Sequence, residues 1–106
     1  MLIFMEVTEV TITKTLENKK AILSVEGWLD TNSAPELGRE IEALSDIESL
    51  ILDFDKLEYI SSAGLRILLS TQKIMNKQGS MVIKNVNEDV MDIFNITGFA
   101  DFLTIE

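Results

Sequence analysis

The side chains in this 106-residue chain whose types and spacing could do chemistry are the paired serines Ser61 and Ser62 and the carboxylates Asp30 and Asp53. The chain has no Cys and no His. That removes thiolate nucleophiles, disulfides, Cys or His zinc sites, thiolate-held iron–sulfur clusters, Ser-His-Asp triads and phosphohistidine relays. Ser61-Ser62-Ala63-Gly64 is not the Gly-x-Ser-x-Gly elbow of serine hydrolases, and no His is present to act as base. Asp30 and Asp53 as a Mg²⁺ pair would be two isolated carboxylates, and acid–base work would have to run on carboxylates alone. The expectation is a protein that is not an enzyme and carries no cofactor or metal.

The serines are informative because of where they fall. Residues 49–55 are a nearly continuous apolar run, read as a strand covered on both faces in an α/β sheet, with Asp53 where it runs out. The serines follow, at the expected start of a helix that runs to Lys77-Gln78 and is stopped by a left-handed Gly79. A helix start leaves N–H groups unpaired and carries the positive end of the dipole, so it favours an acceptor oxygen and can hold a phosphate. Taken by itself, a serine there is first of all a plain helix cap, worth about 1 kcal/mol.

Elsewhere, alternation over residues 7–15 and the run 21–26 predict an antiparallel hairpin about a polar turn at 17–20, with Gly27 ending the second strand. Residues 1–5 read as an edge strand or as residues ahead of a start at Met5. Cap-forming residues at 30–33, then Pro35 and Glu36, open a helix with Leu37, Ile41 and Leu44 inward. Residues 81–86 give a further strand. Asn87-Glu88-Asp89 opens a helix with Val90, Ile93 and Phe94 inward, closed by Gly98 and followed by an apolar segment to Ile105. The architecture expected is α/β, one domain over 1–106, with a mixed sheet of about four to five strands and three to four helices packed against it. The segments 28–33 and 57–64 then meet on one edge of that sheet.

The net charge of −9 would repel nucleic acid or an anionic membrane. No apolar run reaches the roughly 20 residues a membrane span needs, and residues 1–5 lack the basic flank of a signal peptide, so the expected location is the cytoplasm, without membrane insertion. Charge is uneven: residues 1–58 hold 5 basic and 13 acidic groups, whereas 59–84 hold Arg66, Lys73, Lys77 and Lys84 and no acid. At about 100° per residue, Leu65, Leu68, Leu69, Gln72 and Met75 share a core-facing arc. Ser62, Arg66, Ser70, Lys73 and Lys77 form a polar stripe beside it, with Ala63, Ile67 and Ile74 beyond. Apolar residues next to a basic stripe suggest a docking face, unless a neighbouring helix covers Ile67 and Ile74.

Taken together, Gly27-Trp28-Leu29-Asp30-Thr31, Ala34-Pro35-Glu36-Leu37, Leu52-Asp53-Phe54, Tyr59-Ile60-Ser61-Ser62-Ala63-Gly64-Leu65-Arg66, Gly79 and Thr97-Gly98-Phe99 resemble the anti-sigma factor antagonists of the STAS domain family, in order across about residues 6–105. The resemblance implies a domain that binds an ATP- or ADP-bound anti-sigma factor serine kinase and frees a sigma factor. It also implies that phosphorylation of Ser62 breaks the complex, with Ser61 the second choice, and that a serine phosphatase resets it. Asp30, Thr31, Asp53 and Gly64 would lie near the phosphosite, and Ser61, Ala63, Arg66, Ile67, Ser70 and Ile74 would meet the partner. Many relatives have an acid where this chain has Ser61. Some STAS domains instead serve lipid-transport or stress-signalling complexes without a phospho-switch.

Overall fold

A computed structural model describes residues 10–106. The expectations for residues 1–9 lie outside the described residues. The hairpin pairs β1 (Val10–Glu17) with β2 (Lys20–Leu29), antiparallel, about a two-residue turn in which Asn18 takes the left-handed conformation at φ 56°. Then follow α1 (Ala34–Glu42), β3 (Ser49–Asp53), β4 (Leu57–Ile60), α2 (Ser62–Gln78), β5 (Ser80–Lys84) and α3 (Glu88–Thr97). A 3₁₀ turn at Phe99–Asp101 leads to Ile105, which bridges to Ile83. The sheet is mixed, in the order β1-β2-β3-β5, with β3 parallel to both β2 and β5. The expected α/β architecture, a mixed sheet of about four to five strands with three to four helices, forms with five strands and three α-helices among the described residues.

The helices cover one face of this sheet. Ala21, Leu23, Val25, Leu50, Leu52, Met81 and Ile83 are fully buried under them, together with Leu37, Leu65, Leu68, Met75, Val90 and Phe94. The alternate residues Ile22, Ser24, Ile51, Asp53, Val82 and Lys84 are only half-buried. The reading of 49–55 as a strand covered on both faces is thereby corrected: its apolar run serves one buried face and one face partly open to water.

Two glycines act differently from expectation. Gly27 does not end β2. It adopts φ 102° inside the strand, where the pairing of β2 passes from β3 to β4, and its N–H donates to the carbonyl of Lys56 at 2.9 Å. Gly79 is not a left-handed stop, since its φ of 169° is ordinary extended backbone. Glycine is needed there for space: a Cβ would lie 1.8 Å from the backbone oxygen of Glu48. Backbone cannot retreat as a flexible side chain can, so Gly79→Ala is expected to destabilise the fold by about 2–3 kcal/mol. Thermal unfolding followed by circular dichroism should show Tm at least about 8 °C lower.

Candidate functional site

The strand β4 was not legible in the sequence, and it builds the site. It runs parallel to β2 in line with the end of β3, pairing Gly27 with Leu57, Trp28 with Tyr59 and Leu29 with Ile60. Leu29 and Ile60 point into the core. The next residue, Ser61, donates its N–H to the Leu29 carbonyl at 2.7 Å, and α2 begins. That bond sets the start of α2 beside the turn that follows Leu29.

The two serines have separate tasks. Ser61 is the N-cap, extended at φ −93° and ψ 174°, and its Oγ accepts from the Gly64 N–H at 3.4 Å while its carbonyl accepts from Leu65 N–H. Ser62 occupies the first helical position and is exposed, whereas Ser61 is half-buried. The cap is therefore supplied by the first serine, and the second projects from the positive end of a 17-residue helix. Gly64 seats that helix end on the sheet, because a Cβ there would fall 2.7 Å from Ile60 Cγ1 and 3.3 Å from Leu29 Cβ.

The other side of the site is the turn at 30–33. One carboxylate oxygen of Asp30 accepts from the N–H groups of Asn32 and Ser33, both at 2.9 Å, and from Ser33 Oγ at 3.1 Å. Asp30 thus organises the entry to α1, in the turn-forming role open to a short acid before a helix. Thr31 is exposed in the same turn. Asp53 is not brought to the serines. It is level with Ser24 while Ile60 is level with Leu29, five residues or about 16 Å further along β2 at ~3.3 Å each. Its Oδ1 instead accepts from Asp55 N–H and from the Asn85 amide.

Along α2, Leu65, Leu68, Gln72 and Met75 are buried, with Leu69 half-buried, and Ser62, Arg66, Ser70, Lys73 and Lys77 are exposed, as the helical spacing requires. Gln72 is buried without an orphaned amide, since it accepts from Thr104 N–H and donates to Asn76. Lys84 does not belong to the basic stripe: it lies on β5 and pairs with Glu106 at 3.5 Å. The apolar flank divides. Ile67 packs against α1, its Cδ1 3.6 Å from where a Gly38 side chain would begin, and is half-buried beside Ala63, whereas Ile74 is 57% exposed. A shallow groove between α1 and α2 joins Gly38, Ile41, Arg66, Ile67, Ser70 and Ile74.

The sequence reading also passed over an exposed aromatic pair. Trp28 and Tyr59 have ring centroids 5.4 Å apart, and Trp28 Nε1 donates to Glu58 at 3.0 Å. The only tryptophan of the chain, two residues before Asp30, was the available signal.

A family model described as the STAS domain matches residues 9–106. The chain belongs to the STAS domain family. It is 31% identical to the anti-sigma-B factor antagonist of Bacillus subtilis over 85 residues, covering 78% of each chain. An anti-sigma factor antagonist from Mycobacterium paratuberculosis superposes with a TM-score of 0.81 at 22% identity, over 91% of this STAS chain and 84% of its own. The Bacillus cell fate determinant SpoIIAA in its phosphorylated form superposes with a TM-score of 0.71 at 14% identity, over 91% of each chain. Those two likenesses establish the fold.

The division between the serines is testable by stability alone. Ser61→Ala loses the cap and should lower stability by about 0.5–1 kcal/mol, while Ser62→Ala, exposed beyond the cap, should stay within about 0.5 kcal/mol of the parent. Urea unfolding midpoints compare the two.

Proposed function

We propose that this STAS domain is an anti-sigma factor antagonist whose release from its partner is controlled by phosphorylation of Ser62. The partner is an anti-sigma factor serine kinase carrying ATP or ADP. Binding it frees a sigma factor, phosphorylation of Ser62 by that kinase breaks the complex, and a serine phosphatase restores it. The docking surface is the start of α2 with Ser61, Ala63, Arg66, Ile67, Ser70 and Ile74, together with the turn holding Asp30 and Thr31. Its place of action is the cytoplasm, and among the described residues no helix is long and apolar enough to cross a membrane. The domain itself does no catalysis: chemistry is done on it.

The observation that carries this reading is the exposed Ser62 at the first position of α2, with capping already supplied by its neighbour. The relatives named above as anti-sigma factor antagonists support the class of partner. Ser61 is the second choice for modification, since it is half-buried and engaged with Gly64.

The physics of the switch follows from position. A phosphate adds about −1.5 to −2 charge. On Ser62 it meets free first-turn N–H groups and the helix dipole, and Arg66 stands one turn along the same face, so the folded domain tolerates it. In a complex the same dianion has to be desolvated against the partner's surface and its bound nucleotide. A loss of about 3 kcal/mol there weakens binding about a hundredfold, without any rearrangement of the fold.

The test is affinity capture with unmodified protein and ADP, followed by identification of the bound kinase. Ser62→Ala should bind that kinase and resist release on addition of ATP, whereas Ser62→Asp should bind about a hundredfold more weakly. Equal binding and equal ATP release for both variants would sink the proposal.

A further inference from the structure

The open face of the sheet carries a feature that the serine switch does not use. In β4 one extra residue is accommodated between the Gly27–Leu57 and Trp28–Tyr59 pairs, so Leu57 and Ile60 point inward while Glu58 and Tyr59 are both turned to solvent. Bulges commonly re-aim side chains in this way. Here the result is Trp28, 51% exposed, beside Tyr59, 39% exposed, their rings tilted at 42° to each other, with the Glu58 carboxylate 3.0 Å from the indole N–H. Neither ring contributes to the core.

We propose that Trp28, Tyr59 and Glu58 form a receptor for an arginine side chain of the same protein partner that reads Ser62. The inference rests on the proposed function and adds to it a specific anchor. Three observations select this occupant. The patch is continuous with the serine site: Trp28 and Tyr59 each lie two residues before a residue of that site, Asp30 and Ser61, and the Trp28 carbonyl accepts from Ser33 Oγ in the Asp30 turn. Its charge calls for a cation, since Glu58 makes no ion pair among the described residues and exposed Glu26 lies on the same open face, in a chain of net charge −9. Lys56 is the cation nearest in sequence, and it lines an adjoining hollow that shares Glu26 and adds Asp53 and Asp55, so acids outnumber it on this face. Finally, aromatic faces beside a carboxylate suit a planar guanidinium, which stacks and pairs at once, better than an ammonium. Because Glu58 already holds the indole, little side-chain freedom is lost on docking, as expected of an interface anchor.

The probe is the serine kinase captured in ADP by the unmodified chain, titrated calorimetrically into the parent, Trp28→Ala, Trp28→Phe and Glu58→Gln. Trp28→Ala should weaken binding about 30-fold, and Trp28→Phe, which keeps a ring, less than about 5-fold. Glu58→Gln should weaken binding about 5-fold and flatten its dependence on salt. Glu58→Gln should keep the parent's unfolding midpoint, and the Trp28 variants, which lose ring contact with Tyr59 or the bond to Glu58, should have a lower midpoint yet stay fully folded at the titration temperature, as circular dichroism checks. Binding of Trp28→Ala within about twofold of the parent, with Ser62→Asp still releasing the kinase, would overturn the aromatic anchor and leave the serine switch standing. Unchanged affinity and salt dependence in Glu58→Gln would overturn the arginine. Failure of the parent itself to bind any kinase in ADP would overturn the switch and this inference with it.

Discussion

The close seating of α2 on the edge formed by β2 and β4 is the contact on which the rest of the site depends. It consists of one backbone hydrogen bond, Ser61 N–H to the Leu29 carbonyl, and one steric allowance, the missing side chain at Gly64 against Ile60 and Leu29. Leu29 and Ile60 are fully buried beneath it. With that seat fixed, Ser61 must cap, Ser62 must project, and the turn held by Asp30 must stand alongside. A looser helix start would leave the two serines interchangeable.

The chemistry of the site follows from what the seat leaves unsatisfied. The first N–H groups of a helix have no intrahelical acceptor, and Ser61 Oγ takes only that of Gly64. The remainder, with the dipole, makes the end of α2 a place where negative charge is welcome in water and awkward in an interface. In an acidic chain this is also where cations gather, Arg66, Lys73 and Lys77 following one another along the exposed face. Modification therefore needs no second conformation of the domain: the free energy changes in the complex, where water is excluded and charges are screened least.

Much of the fold was legible because periodicity reports burial directly. The arc of Leu65, Leu68, Gln72 and Met75, the inward Val90 and Phe94, and the cap at Asn87 stand as the spacing required. The strand β4 was not legible: four residues with a bulge have no alternation to detect, and Leu57-Glu58-Tyr59-Ile60 reads as a loop. The glycines misled for a related reason. A helix-ending glycine suggests a left-handed turn, but Gly79 is set by the Glu48 carbonyl, which is 31 residues away in the chain, and Gly27 by a change of strand partner.

The residue types at the site, the absence of any His or Cys, and the resemblance to the STAS family came from the sequence by itself, because composition and motif order need no coordinates. Which serine caps and which is exposed, the removal of Asp53 from the serines, the covering of Ile67 but not Ile74, and the pairing of Trp28 with Tyr59 and Glu58 were decided only in three dimensions. Each depends on which strand lies beside which and in what register. Register is a property of pairs of segments distant in the chain, and a local pattern of residues does not contain it.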